Sequence, residues 1–117
     1  MKTVVWIGSS RRDLAAFPAV ARQRAGFALY QVQCGLEPPD WKPMPTIGAG
    51  VTEIRVHTGR DFRVIYLAKF EEGVYALHAF EKTTRRTATA DIELAKARLS
   101  EVVRVRRQQQ GSRRKAP

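Results

Sequence analysis

The sequence predicts a small α+β domain in which helices pack on a small, mostly antiparallel sheet. Three segments rich in β-branched and aromatic residues follow one another between Val51 and Phe80, with short turns between them. Segments with apolar residues at helical spacing precede and follow them. The chain of 117 residues is long enough for one domain with a buried core and too short for two.

The chain begins with a predicted strand and a predicted helix. Residues 2–7 are a short run rich in β-branched residues that includes Trp6, which is typical of a strand. Ser9 or Ser10 is suited to cap a helix that begins at Arg11, because its hydroxyl can accept a hydrogen bond from the first helical turn.

A second helical stretch is predicted to begin at Pro18, unless this proline only kinks the first helix. Its apolar residues recur at helical spacing and are predicted to form one face: Val20, Phe27, Ala28 and Val32. Gly35 is a typical helix stop, since glycine adopts the left-handed conformation at low cost. Residues 36–50 hold four of the six prolines and are predicted to be a connector without regular structure.

Three strands and a final helix are predicted in the second half of the chain. The strands are expected at residues 52–57, 62–70 and 74–80. The helix is expected at residues 89–103, with one apolar stripe: Ile92, Ala95, Leu99 and either Val102 or Val103. The resulting order is β-α-α-β-β-β-α.

The predicted turns decide which side chains share a face of the sheet. A three-residue hairpin loop that includes Gly59 places Arg55 opposite Arg63. A loop of residues 71–72 in the second hairpin puts four cationic or imidazole side chains on one open face, away from the core: Arg63, Lys69, His78 and Lys82. If Gly73 acts as a bulge instead, the pairing shifts by one residue and His78 moves to the core face.

The chain is strongly basic, but its charge is unevenly distributed. The formal net charge is +10, which favours a phosphate-containing partner over a neutral ligand. Six basic residues and no acidic ones lie between Val102 and Pro117, and the remainder has fifteen basic side chains against eleven acidic ones. The cations on the predicted sheet face are therefore the stronger argument for an anionic polymer, and RNA is the obvious candidate.

The end of the chain is low in apolar residues. We therefore predict a single domain at residues 1–107 and a disordered basic tail at residues 108–117. The tail is expected to add affinity for RNA in a salt-dependent way, since its cations would release counterions from the phosphates.

A single cysteine, Cys34, excludes an internal disulfide and a zinc site with several cysteines, as is typical of a reducing compartment. No apolar run approaches the length of a membrane span or of a signal-peptide core. We expect a cytoplasmic protein without a membrane partner. Two histidines and scattered acidic residues predict no metal site, and no cofactor is expected.

A series of short motifs extends over nearly the whole chain before the tail. They are Trp6-x-Gly8-Ser9-Ser10, Asp13-Leu14-x-x-Phe17-Pro18, Gln33-x-Gly35, Pro39-x-x-Lys42-Pro43-Met44, Gly50-Val51-x-Glu53-Ile54-Arg55-Val56, Phe62-Arg63-Val64-x-Tyr66, Leu77-His78-Ala79-Phe80-x-Lys82, and Asp91-Ile92 to Ala95 with Arg98. In this order and spacing they resemble the RelE/HigB-type toxins of bacterial toxin–antitoxin modules, in particular the phage-associated HigB-like branch.

The resemblance implies a RelE-like fold and a type II toxin. In this fold an N-terminal strand and two helices precede a three-strand antiparallel meander and a C-terminal helix. Such toxins cleave messenger RNA, usually while it is bound in the ribosomal A site, without a metal ion, and so inhibit translation. The implied partners are the ribosome, mRNA and a cognate antitoxin with a helix-turn-helix. Two alternatives remain open: a sister group of the same fold poisons DNA gyrase, and a third possibility is an RNA-binding protein without activity.

The resemblance also assigns a position to Arg63, the arginine of the family's F/Y-R-x-x-Y strand, whose guanidinium can grip two phosphate oxygens. His78 is suited to act as a general acid or base, and Lys82 to favour the leaving group. These three are the predicted catalytic residues. The predicted RNA-binding residues are Arg55, Lys42, Arg85 and Arg86.

Each catalytic assignment has a structural alternative. Arg63 could instead be a sheet-surface arginine that pairs with Glu53 or Glu81, and His78 could pack in the sheet with a hydrogen bond. Lys82 could be a solvated lysine at the end of its strand. Thr83 stands where this branch often has a second lysine, and the tyrosine that some relatives carry just past the His-x-Phe strand is missing.

Overall fold

The computed structural model describes the backbone of residues 1–115 and the side chains of residues 1–111. The elements follow in the order β1 (Thr3–Trp6), α1 (Ser10–Ala15), α2 (Ala19–Gln33), β2 (Trp41–Pro43), β3 (Val51–His57), β4 (Asp61–Leu67), β5 (Gly73–Lys82) and α3 (Thr89–Lys115). The predicted α+β class, with helices packed on a small sheet, is confirmed.

The five strands form one sheet in the order β1-β5-β4-β3-β2. β1 runs parallel to β5, and the other neighbouring strands are antiparallel, so the predicted meander of β3, β4 and β5 is confirmed. The prediction that residues 36–50 lack regular structure is wrong at β2, which forms the edge of the sheet. Pro43 ends this strand, where an edge position tolerates the missing N–H.

The register of the first hairpin agrees with the prediction. Arg55 lies opposite Arg63, and Gly59 in the turn has a φ of +89°. In the second hairpin Ile65 pairs with His78, and a bulge then shifts the pairing between Ile65 and Tyr66. Arg63 and His78 therefore share a face, as expected, because Ile65 and Arg63 are two residues apart on one strand. Between the bulge and the turn the pairing is shifted by one residue, as in the predicted alternative, but the bulge is not at Gly73 and His78 does not move to the other face.

Helices cover both faces of the sheet. α1 and α2 pack on the face that carries Ile54, Val64 and Tyr66, which we call the α2 face. α3 packs on the face that carries Ile65 and Leu67, which we call the α3 face. The bulge brings further residues of β5 to this second face: Tyr75 and Leu77. Ala95 and Val102 are buried and Ile92 and Leu99 are partly buried against it, so the predicted stripe of the final helix is confirmed with Val102 as its last member.

The apolar face predicted for α2 is correct for Ala28 and Val32 and wrong for Val20 and Phe27, which are exposed. The residues that α2 buries are mostly small: Ala21, Ala25, Ala28, Leu29 and Val32. Alanines at the centre of this face let the helix lie close to the sheet, and the larger side chains are left on the far side.

α3 continues as far as Lys115, whereas the sequence predicted a disordered tail from Gln108. Arginine, glutamine and lysine are good helix formers and no proline lies between Pro45 and Pro117, so the helix continues through Gly111 although glycine is unfavourable in a helix interior. The division into a domain at residues 1–107 and a tail at residues 108–117 stays a prediction, and the last two residues of that tail lie outside the described residues. Within the described residues, no helix combines the length and the apolar character needed to cross a membrane.

Candidate functional site

Charged side chains gather on the α3 face at the end nearest the β3–β4 hairpin. We call this set the charged cluster, and its members are Glu53, Arg55, Arg63, His78 and Asp91. At the other end of the same face, Val51 of β3 and Leu67 of β4 are buried in an apolar cluster. The α3 face therefore changes from apolar to charged along the strands.

Arg63 and Glu53 form a buried ion pair. Arg63 Nε lies 3.2 Å from Glu53 Oε1, and the two side chains are only 2% and 3% exposed. The Nε–H has no hydrogen-bond partner, so the contact is electrostatic. Arg63 Nη1 donates a hydrogen bond to the carbonyl oxygen of Phe62 at 3.0 Å. The predicted alternative of a pair between Arg63 and Glu53 is what the structure contains.

The expectation that Arg63 lies on an open face is wrong. The segment between β5 and α3, residues 83–88, lies against the ion pair, because Thr87 donates its hydroxyl to Glu53 Oε2 at 3.1 Å. The prediction treated the meander alone, and the cover comes from residues that follow it in the chain. Lys69 is also misplaced by the prediction, because β4 ends at Leu67 and Lys69 is in the turn at the opposite end of the strands.

His78 is held by a carboxylate and a ring. Its Nε2 lies 2.7 Å from Asp91 Oδ1, in the first turn of α3, and its ring stacks on Phe80 with 4.6 Å between the centroids. Its Nδ1 is buried and has no hydrogen-bond partner. A carboxylate at Nε2 favours the tautomer with the proton there, which leaves the Nδ1 lone pair free to accept a proton. This is the arrangement of an oriented general base.

Arg55 supplies a cation without a described counterion. It lies opposite Arg63 in the sheet, and two facing arginines repel each other unless an anion lies nearby. Glu53 is in contact with Arg63, and none of the ion pairs among the described residues includes Arg55. Arg55 Nε is buried without a hydrogen-bond partner. The cluster is therefore suited to accept an anion beside Arg55.

The remaining predicted site residues surround the charged cluster. Lys82 is two residues beyond Phe80 on β5, on the same face as His78, and it is partly exposed. Lys42 on β2 lies opposite Glu53 in the register of β2 and β3, and it is exposed. Arg85 and Arg86 are exposed in the segment 83–88. The structure thus places five of the seven predicted residues on one face of the sheet, namely Lys42, Arg55, Arg63, His78 and Lys82, with Arg63 and His78 enclosed. The other two, Arg85 and Arg86, lie on the segment that follows β5.

The predicted set omits Asp91 and Thr87, although both touch it. Asp91 is an acidic residue in the first turn of the predicted final helix, a position that is favourable for an acid on any helix. Its contact with His78 depends on how α3 returns to the sheet. The contact of Thr87 with Glu53 likewise joins residues 34 positions apart.

His57 forms a separate cluster at the β3–β4 hairpin. Its Nδ1 lies 2.5 Å from Asp61 Oδ1 and its Nε2 lies 3.0 Å from Asp40 Oδ2. The hydrogen bond with His57 lowers the pKa of Asp61. All three side chains are about half exposed, so this histidine is accessible and fully paired, in contrast to His78.

Residues 12–100 match the family model described as phage-derived protein Gp49-like (DUF891). The chain belongs to the Gp49-like family. This is a toxin-like family of the RelE/HigB type, so the resemblance found in the sequence is confirmed at this level. The match includes every residue of the charged cluster and the segment 83–88 that covers it. No curated protein matches this Gp49-like chain.

Proposed function

We propose that this Gp49-like protein is the toxin of a type II toxin–antitoxin module and acts as a metal-independent, ribosome-dependent mRNA endonuclease. A cognate antitoxin with a helix-turn-helix would neutralise it. The observation that carries this proposal is the charged cluster. Two arginines face each other across β3 and β4, and only Arg63 contacts the buried carboxylate of Glu53, while an imidazole with a free nitrogen lies on the same sheet face.

Cleavage of RNA without a metal needs three groups. A base takes the proton from a 2′-hydroxyl, whose oxygen attacks the adjacent phosphorus. The bond from phosphorus to the 5′-oxygen then breaks, and that oxygen takes up a proton, which leaves a 2′,3′-cyclic phosphate and a 5′-hydroxyl. Cations fixed next to the phosphate stabilise the extra negative charge of the transition state.

The charged cluster and its neighbours can supply these groups. His78 Nδ1 is the candidate base, since Asp91 orients the ring from the other side. Arg55 and Arg63 are the candidate clamp for the phosphate, and Lys82 is the candidate partner of the leaving oxygen. The protons balance when His78 takes one from the 2′-hydroxyl and Lys82 delivers one to the 5′-oxygen.

Access to Arg63 needs a movement of the segment 83–88. Arg63 is 2% exposed, and Thr87 fixes this segment to Glu53 through one hydrogen bond. Arg85 and Arg86 are exposed on the same segment. We propose that RNA first binds these two arginines and draws the segment away from the ion pair, so that the scissile phosphate can approach Arg55 and Arg63.

The burial of Arg63 and His78 is also the observation that favours the alternatives. If these side chains only stabilise the fold, the accessible cations still bind nucleic acid. The chain would then be a gyrase poison or an RNA-binding protein without catalytic activity.

Mapping of transcript 5′ ends after induction separates these functions. An endonuclease of the proposed kind produces new 5′ ends inside translated reading frames, and these ends disappear when translation initiation is blocked. Intact transcripts together with double-strand DNA breaks would identify a gyrase poison. Intact transcripts and intact DNA, with RNA retained on the purified chain, would identify a non-catalytic RNA-binding protein.

A further inference from the structure

α2 carries a second apolar stripe on the side away from the sheet. Val20 is 53% exposed, Phe27 57% and Tyr30 51%, and we call these three residues the outer stripe. Val20 and Phe27 are seven residues apart, which is two helical turns, so they lie on one line along the helix. The buried face of the same helix, which includes Ala25 and Leu29, points to the core. An exposed apolar patch of this kind is typical of an interaction site.

A cavity opens beside the outer stripe. It has a volume of about 240 Å³ and lies between α2, the residues just before β2 and the end of β3. The surface that it exposes is mainly apolar. Its lining consists of the apolar residues Phe27, Ala28, Pro39 and Val56 together with Arg24, Asp40, Arg55 and His57. Apolar cavities of about 150 Å³ hold a benzene ring. This cavity therefore has room for one large apolar side chain of a partner, and we call it the Phe27 cavity.

The surroundings of the outer stripe are basic. α2 contains Arg22 and Arg24 and no acidic residue. Neither arginine takes part in an ion pair among the described residues. Arg24 donates instead to the carbonyl oxygen of His57 at 2.8 Å, and the one carboxylate that lines the cavity, Asp40, is paired with His57. A second copy of the chain would bring like charges together here, whereas acidic residues would complement them.

We propose that the outer stripe and the Phe27 cavity dock an acidic amphipathic helix of the antitoxin. Apolar side chains of that helix, at a spacing of three and four residues, would pack on Val20, Phe27 and Tyr30, and one of them would enter the cavity. Its acidic flanks would lie beside Arg22 and Arg24. The antitoxin as the source of this helix rests on the proposed function. The docking surface itself rests on the exposed stripe, the cavity and the uncompensated charge.

Of the charged cluster, only Arg55 lines the Phe27 cavity, and Arg63 and His78 lie on the other side of the sheet from the outer stripe. α2 covers the α2 face, and Arg63 and His78 point to the α3 face. A helix docked on the outer stripe therefore leaves Arg63 and His78 uncovered. It would neutralise the toxin by preventing its entry into the ribosome, and not by filling the catalytic site.

The test uses the product of the adjacent reading frame, co-expressed with the full chain and then titrated against the purified chain by calorimetry. The variant Val20→Glu/Phe27→Glu should weaken binding at least a hundredfold, because it places negative charge where the acidic helix packs. The matched control, Leu94→Glu/Val105→Glu, makes the same change at two exposed apolar residues of α3, which are 38% and 37% exposed. Its affinity should stay within threefold of the wild type. Phe27→Leu should retain most of the affinity.

Cleavage by the free chain on programmed ribosomes separates this inference from the proposed function. The Val20→Glu/Phe27→Glu variant should cleave like the wild type, since neither residue belongs to the charged cluster. If the wild type does not cleave but the variant still loses the partner, the docking surface stands and the endonuclease proposal fails.

Four results would overturn the docking surface. The first is that the adjacent product does not bind the wild type, and the second is that it binds the outer-stripe variant as tightly as the wild type. The third is that the wild-type chain forms a dimer and the variant is a monomer, which would identify a second copy as the occupant. The fourth is that the variant loses affinity for ribosomes, which would identify the stripe as part of the RNA-binding surface.

Discussion

The face of the sheet under α1 and α2 is apolar over its whole length, whereas the face under α3 is apolar over only half of it. On the α2 face, Phe62 and Val64 continue the same core that Tyr66 reaches at the other end of β4. On the α3 face, Leu67 lies in the apolar half and Arg63, on the same strand, in the charged half.

The two faces differ in what their burial requires. An apolar side chain is stabilised by leaving water, whereas a buried charge needs a partner to offset its lost hydration. Glu53 provides that partner for Arg63, and Asp91 accepts a hydrogen bond from the buried ring of His78. Well-packed apolar residues could fill the same space at equal or greater stability. The stability of the fold alone therefore does not require the ion pair of Arg63 and Glu53, and the predictions below test that difference between the two faces.

The largest effect on stability is expected at Arg63. Arg63→Ala leaves Glu53 buried without a counterion and should lower the free energy of unfolding by about 3–5 kcal/mol. The double variant Arg63→Met/Glu53→Leu removes both charges and should recover most of that loss. Val64→Ala, next to Arg63 but on the α2 face, is the control, with an expected cost of about 2 kcal/mol from the cavity. Urea denaturation of the four proteins measures these differences.

The same variants decide whether Arg63 acts in cleavage. The double variant should be stable but at least about a hundredfold slower in single-turnover cleavage on programmed ribosomes, because the transition state loses a fixed cation. Val64→Ala should keep its rate at a temperature where it is folded. A stable double variant that cleaves at the wild-type rate would make Arg63 a structural residue, and both faces would then serve the fold alone.

His78 should affect the rate more than the stability. His78→Gln removes the candidate base and should slow cleavage by about 10²-fold or more. Asp91→Asn keeps the shape of the partner but not its charge, and should have a smaller effect. His57→Gln is the matched control, because His57 is exposed and paired with two carboxylates away from the cluster. Equal losses of rate in the two histidine variants would argue against a special role for His78.

The first hairpin could be predicted from the sequence, because it depends on local information. Gly59 supplies the positive φ of the turn, and the alternation of the strands then places Arg55 opposite Arg63. The bulge between Ile65 and Tyr66 was not predicted, because the alternative placed a bulge at Gly73, and a single sequence gives no preference between two registers that both bury apolar side chains. Arg63 and His78 share a face in the structure because the predicted register applies between the bulge and the end of β5.

The enclosure of the site could not be predicted in this way. It depends on contacts between distant parts of the chain, such as those of Thr87 with Glu53 and of Asp91 with His78. The exposed side of α2 was missed for another reason. Its sequence contains two apolar stripes, and helical spacing alone does not tell which of them faces the core. The small residues Ala21 and Ala25 decide this, because the sheet accepts the narrower side of the helix.

Arg85 and Arg86 are expected to contribute to binding. Each substitution by alanine should weaken binding to ribosomes and lower the slope of log affinity against log salt by about one, as for the loss of a phosphate contact. Cleavage at saturating ribosome concentration should change little. Arg22→Ala, on the helix that covers the α2 face, should leave binding and its salt dependence unchanged. If Arg22→Ala weakens ribosome binding as much as Arg85→Ala, RNA recognition is not confined to the α3 side.

The smallest effect concerns acid pH at the apolar end of the α3 face. Arg106 of α3 donates to Glu72 in the β4–β5 turn at 2.6 Å, and this hydrogen bond lowers the pKa of Glu72 from 4.5 to about 2. A carboxylate with a lowered pKa in the folded state stabilises it fully above pH 4.5, and this contribution is lost as the pH falls from 4.5 towards 2. Both side chains are partly exposed, so the change should be slight.

Amide hydrogen exchange between pH 5 and pH 2.5, corrected for intrinsic rates, should show α3 loosening near Arg106 as the pH falls. Arg106 also lies 3.5 Å above the ring of Phe70, a contact that does not titrate, so the helix should loosen without leaving the sheet. Glu72→Gln should remove this pH dependence, whereas Glu101→Gln, which breaks a pair within α3 only, should preserve it. If Glu72→Gln leaves the dependence intact, the apolar end of the α3 face does not rely on this ion pair, and its closure is due to packing alone.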